Sequence, residues 1–338
     1  MQQSFSELEL LEEIIGQLKD LAEVEVLNTL QHQQHSFPLY CIALGSKRPD
    51  VPVLAYFASV HGLEKIGSEI LFAYLRTIIE LLKWDEEFKN RLEKSRLVFF
   101  PLVNPVGVFA STRCNGNGVD LMRNSPVKAD GKRKFYSGQR LTSRLPWYQG
   151  QAESMEIEAL ALCDVVRRCL AQSPLTITVD LHSGFGIEDR LWFPYAYCQK
   201  PYPDIAQAFA WKQLFERCYP HHFYKIEPMS LEYVIEGDLW DYLYQEFFEN
   251  NREQRVFLPL TLEMGSWLWL RKNPRHLFMK HGLFHPLLPH RQQRILRRHL
   301  ILFDFLYRSL LSSEPWAKLD EKQTQDYEQQ ALRLWYGE

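Results

Sequence analysis

No apolar stretch in this 338-residue chain approaches the roughly 18 residues of a membrane-spanning helix. No basic, apolar leader with a cleavage site opens it either, since residues 1–20 are acidic and helical in pattern. The expectation is a cytoplasmic protein with no membrane partner. A basic surplus is also missing: 39 Lys plus Arg stand against 42 Asp plus Glu, a net charge of −3. A phosphate backbone would find little to neutralise it, so nucleic acid is not an expected partner. Cysteine is sparse. Cys41, Cys114, Cys163, Cys169, Cys198 and Cys218 form no CxxC pair, which favours buried free thiols over disulfides or a zinc knuckle. Repeats, low-complexity blocks and a convincing linker are absent. One domain over residues 1–338 is expected, with a helical extension over about 1–33 and a helical C-terminal segment over about 285–338.

What the chain does have is apolar content, 46%, arranged in alternating patterns. Residues 7–21, 65–82, 154–171, 205–217, 238–248 and 291–311 repeat apolar residues at helical spacing. Residues 37–44, 51–60 (VPVLAYFASV), 96–103 (RLVFFPLV), 175–181 (LTITVDL), 191–194 and 256–262 read as strands, several of them apolar on both faces. Strands alternating with helices predict an α/β fold: a mainly parallel mixed sheet with helices on both faces. Residues 104–150 are irregular and rich in Gly, Asn and Pro, the pattern of a functional or disordered segment inside a compact domain.

Three strands end beside residues that bind metals or move protons. His61 follows the second strand in His61-Gly62-Leu63-Glu64. His182 ends Asp180-Leu181-His182-Ser183-Gly184, and Glu263 ends Thr261-Leu262-Glu263. Open α/β sheets gather ligands outside the carboxyl ends of their strands, so these distant residues can meet in one crevice. An i, i+3 spacing puts His61 and Glu64 on one face of a helical turn. Joined by a remote His, they would fill three positions of a tetrahedral Zn²⁺ and leave the fourth for water. Alone, HxxE is as readily a turn or core feature.

In order, the chain carries His61 and Glu64, Asn104-Pro105-Val106-Gly107, Arg113, Gly118-Val119-Asp120-Leu121-Met122-Arg123-Asn124, Ser154-Met155-Glu156-Ile157-Glu158, His182 and Glu263. This ordered set resembles the M14 family of zinc carboxypeptidases, over roughly residues 51–267. The resemblance implies a zinc carboxypeptidase-like fold and one Zn²⁺ per chain, held by His61, Glu64 and His182. It implies Glu263 as general base, Arg113 as oxyanion stabiliser and Asp120 as the carboxylate orienting His61. Arg123 would bind a terminal carboxylate, and Tyr233, ahead of Gly237-Asp238-Leu239, would be the family's mobile tyrosine, with Tyr224 and Tyr242 as competitors. Met122 stands where the family usually has Asn, and a thioether cannot donate to a carboxylate.

The implied activity is hydrolysis of an amide in a short peptide or isopeptide. The NPxG, Arg and GVDL arrangement is similar to bacterial members that trim cell-wall-derived peptides. Two other readings stay open: an N-acyl amino acid deacylase of the aspartoacylase and succinylglutamate desuccinylase type, and a non-catalytic peptide-binding protein on the same fold. Other readings of single residues remain too. Asp120 could shape the Asn117-Gly118 turn, Arg113 could be a solvated loop cation, Glu263 an ion-pair partner, and Asp180 a support for its turn.

Overall fold

The computed structural model describes residues 5–131, 134–152, 154–171, 173–184, 186–250, 255–267, 284–286 and 288–338. An eight-stranded mixed sheet forms the centre. In chain order the strands are β1 (Glu23–His32), β2 (His35–Gly45), β3 (Val53–Ala58), β4 (Arg96–Phe100), β5 (Leu175–Gly184), β6 (Asp189–Phe193), β7 (Tyr224–Pro228) and β8 (Val256–Gly265). Across the sheet they run β1-β2-β4-β3-β5-β8-β6-β7. The central block β4-β3-β5-β8 is parallel, as is β6 with β7, while β1/β2, β2/β4 and β8/β6 are antiparallel. All six residues of β3 and all ten of β5 are buried. That is why their sequences are continuously apolar or β-branched rather than alternating.

Neighbouring residues of β3 show which helices cover which face, because successive side chains in a strand point to opposite sides. Tyr56 packs on Tyr74 of the helix Lys65–Trp84 and on Phe303 of the long helix Pro289–Leu311. Phe57 packs instead on Trp240 of the helix Leu239–Asn250. The helix Ile157–Leu170 joins the latter on its face. One buried apolar cluster runs from Leu11 in the first helix to Trp335 near the C-terminus. No helix among the described residues is long and apolar enough to cross a membrane.

The N-terminal expectation needs correction. Among the described residues there, only Ser6–Leu18 is helical, and Glu23–His32 is an edge strand paired antiparallel with β2. Most of its positions are exposed or half-buried, so no apolar run announces it, and Glu23 and Glu25 are the charged residues that protect a sheet edge. Its hairpin turns through Gln33 and Gln34, at φ 48° and 72°. That is the left-handed pair a two-residue turn demands, without the Asn-Gly chemistry that normally signals it. Strand β7 also falls in a stretch to which the sequence pattern assigns no element. Towards the C-terminus the described residues form the helices Pro289–Leu311, Glu314–Ala317 and Glu321–Trp335.

Candidate metal centre and active site

Strand β3 stops at Ala58, and the chain turns sharply through buried Ser59 at φ 54° before reaching His61. The turn is held from below by Asn104. Its Nδ2 donates to the Val60 carbonyl at 3.2 Å, and its Oδ1 accepts from Gly107 N at 2.8 Å. Gly62 packs so closely against Gly107 that a Cβ would lie 2.0 Å from the Gly107 carbonyl carbon. The Asn-Pro-x-Gly motif therefore acts as the floor of the His61–Glu64 turn.

His182 arrives from the next strand, β5, in register with Glu263 of β8. The imidazoles of His61 and His182 converge, with their Nδ1 atoms 3.2 Å apart. Glu64 spans both: Oε1 lies 2.8 Å from His61 Nδ1 and Oε2 lies 2.9 Å from His182 Nδ1. Ser183 N donates to the same Oε2 at 3.0 Å. These three residues are buried, and their candidate ligand atoms all lie within 4.8 Å of one another.

The outward nitrogens meet carboxylates. His61 Nε2 lies 3.0 Å from Asp120 Oδ1, and His182 Nε2 lies 2.8 Å from Asp180 Oδ2 in ion-pair rather than well-aligned hydrogen-bond geometry. Both imidazoles thus present Nδ1 inward. Carboxylates on the far nitrogens are the usual support of metal-bound histidines, because they fix the ring and raise its basicity. Two inward nitrogens and one carboxylate suit Zn²⁺, so the donor set fits. Burial opposes ionisation of Glu64, but the charges of His61 and His182 outweigh it and hold the carboxyl below its ordinary range. Burial likewise disfavours the His182 cation, and Asp180 and Glu64 reverse that, raising it well above an ordinary imidazole.

Asp120 caps the short 3₁₀ turn Leu121–Arg123, accepting from Met122 N at 3.2 Å. Arg113 Nε donates to its second oxygen at 2.9 Å, and Nη1 reaches Glu64 Oε1 at 3.4 Å. Burial works against the Asp120 charge, yet Arg113 and Arg123 keep it well below the usual carboxylate range. The motif residues around it are mutual supports. Asn124 accepts from Glu156 N at 2.6 Å and donates to Gln149 O at 2.8 Å, while Asn115 and Asn117 donate to Glu156 at 2.8 and 2.6 Å.

Arg123 is buried, with Nη2 donating to the Tyr136 carbonyl at 3.3 Å and Nε without a hydrogen-bond partner among the described residues. Gly237, at φ 79°, lies against its backbone, where a Cβ would come 2.1 Å from the Arg123 carbonyl oxygen. Burial raises the pKa of Tyr233, and it feels the charges of Arg123, Glu263 and Arg113. Its competitors lie elsewhere. Tyr224 hydrogen bonds with His299 Nδ1 at 2.8 Å, and Tyr242 lies against Arg167. Glu263 is half-buried. Its carboxyl is still desolvated enough, with the Glu64 charge adding to the effect, to rise to about 8, against the opposing pull of His182 and Arg113.

Met122, by contrast, is buried in the main core. Sequence reasoning undervalued Asp180, whose place two residues before His182 on one strand face was the available signal.

Residues 23–247 match the profile of the zinc carboxypeptidases, peptidase family M14. Carboxypeptidase SOL1 of Arabidopsis thaliana is 29% identical over 111 residues, covering 32% of this chain and 23% of that protein. The carboxypeptidase N catalytic chain of Rattus norvegicus is 22% identical over 65% of this chain and 53% of its own length. The matched stretches thus span about a quarter and about half of those relatives. Bovine thrombin-activatable fibrinolysis inhibitor, solved with a tick carboxypeptidase inhibitor, shares the fold at a TM-score of 0.66, over 92% of this chain and 97% of that one, at 17% identity. With its ordered motifs gathered around one convergent His-Glu-His group, the chain belongs to the M14 family of zinc carboxypeptidases.

Proposed function

We propose that this chain is a one-zinc carboxypeptidase that removes a terminal residue from a short peptide or isopeptide. The observation that carries the reading is the convergence of both Nδ1 atoms on the two oxygens of Glu64, each ring backed by its own carboxylate. His61, His182 and Glu64 would hold the ion. Zinc, when bound, supplies Lewis acidity that polarises a carbonyl and makes water nucleophilic near neutral pH.

The remaining work falls to the protein's own groups. Glu263 takes the proton of the attacking water and delivers it to the leaving amine. A carboxyl already pushed toward neutral pH by burial suits a group that both accepts and donates. Arg113, anchored through Nε on Asp120, is a fixed cation at the rim where negative charge develops on the scissile oxygen. Arg123 offers a planar fork to the terminal carboxylate of the substrate, and Tyr233 lies against the same end.

Glu263→Gln tests the reading. The variant should retain about one zinc per chain by elemental analysis and lose about 10²–10⁴-fold in kcat. Wild-type turnover in that variant would remove the base assignment. Parallel assays on dipeptides, γ-linked peptides and N-acyl amino acids fix the substrate class. Preference for peptides with a free carboxylate supports the proposal; preference for N-acyl amino acids replaces it with a deacylase. Zinc without turnover on any amide leaves a binding protein.

A further inference from the structure

The two metal-facing histidines are supported in different ways. His61 leans on Asp120, whose other oxygen is ion-paired with Arg113. His182 leans on Asp180, which is completely buried. Among the described residues, the one hydrogen-bond donor to that carboxylate is the indole of Trp240, whose Nε1 reaches Asp180 Oδ2 at 3.0 Å. The same oxygen faces His182 as an ion pair, and among the described residues Asp180 Oδ1 finds no hydrogen-bond partner.

Trp240 is itself held from two sides. Its backbone N and that of Asp241 donate to Asp238 Oδ1, both at 2.9 Å, which fixes the first turn of the helix Leu239–Asn250. Its ring packs edge-on against Phe57 of β3, with centroids 5.3 Å apart. A buried carboxylate with so few donors depends on each of them, since an unsatisfied charged oxygen bears its desolvation cost alone.

We propose that Trp240 is a positioning residue for zinc: through Asp180 it holds the His182 ring with Nδ1 turned to the metal. The inference rests on the metal-site reading above and adds to it a residue from the segment that also carries Tyr233 and Gly237. The orientation of His182 is thereby tied to the junction between that loop and its helix. Loss of the indole N–H leaves Asp180 free to rotate, and a rotated carboxylate no longer holds the His182 ring in place.

The experiment measures zinc dissociation constants by chelator competition, alongside the melting temperature of the metal-free protein. Trp240→Phe keeps an aromatic ring against Phe57 and removes the N–H together with part of the buried indole. It should weaken zinc about 10-fold, while the metal-free melting temperature falls no further than in the packing control Phe57→Leu. The visible spectrum of the Co²⁺-substituted protein should shift as well. Asp180→Asn should weaken zinc at least as much, and adding Trp240→Phe to it should cost little more, because both act through one contact. Phe57→Leu serves as the packing control: it should lower the melting temperature while zinc affinity stays within about twofold. Wild-type zinc affinity and an unshifted cobalt spectrum in Trp240→Phe overturn the inference, as does a loss that Phe57→Leu reproduces. A wild-type protein that binds no zinc overturns the metal-site reading itself, which separates the two failures.

Discussion

Half-buried Arg113 and buried Asp120 form an ion pair at 2.9 Å, and the other oxygen of Asp120 lies 3.0 Å from His61. One guanidinium therefore neutralises the carboxylate that backs the His61 ring, while its Nη1 lies beside Glu64. Arg113→Ala should cost about 10²–10³-fold in kcat, the range for removing a fixed oxyanion donor. It should also weaken zinc, because Asp120 is left buried without its counter-ion. Steady-state kinetics at saturating zinc, set against chelator competition, separate the two effects.

Met122 replaces a family asparagine, but its side chain is packed in the core rather than presented to the cleft. Met122→Asn should therefore gain no new grip on a terminal carboxylate. It should instead destabilise by about 3 kcal/mol, from lost apolar burial and a buried amide seeking partners. Urea unfolding measures the loss, and an unchanged KM for carboxylate-bearing peptides checks the orientation.

Glu69 is pushed up to about 7, chiefly by burial and further by the Glu7 charge, with Lys65 opposing and His285 Nε2 3.5 Å away. Its folded value lies above its ordinary one, so the folded state keeps a proton that the unfolded chain has released. Stability from this group is full below about pH 4.5 and declines as pH rises toward about 7, by up to roughly 3 kcal/mol. Glu69→Gln should melt higher than wild type at pH 8 and almost equally at pH 4.5. A constant offset across that window would refute the linkage.

Zinc should stabilise the fold by mass action. At a free concentration 1,000 times its dissociation constant the gain is about 4 kcal/mol. Thermal melts with and without a chelator should differ by several degrees in wild type and hardly at all in His182→Ala.

Much of this was legible in the sequence because chemistry and pattern coincided. The strands ending at His61, His182 and Glu263 are buried on both faces, so their apolar runs stood out, and each run stopped next to a metal-binding or acid–base residue. The edge hairpin was not legible, since Glu23–His32 buries little and turns on Gln33-Gln34 rather than Asn-Gly. Asp180 was visible but read as turn support, because its value depends on where the His182 ring points. Trp240 was hidden for a deeper reason. Its partner is 60 positions away, and only the folded sheet brings an indole from a helix start under a strand end.

His182 and Glu263 occupy paired positions on neighbouring parallel strands, and His61 follows the strand on the other side of β5. Those groups ride on one stiff slab. Tyr136, whose ring packs on Tyr233, and Trp147, which packs on Tyr136, come from excursions beyond it. On the proposed function, bond-breaking equipment and molecular taste would be housed in separable parts of the polypeptide. A combinatorial library confined to residues 134–148 should change which peptides are accepted while leaving metal occupancy constant.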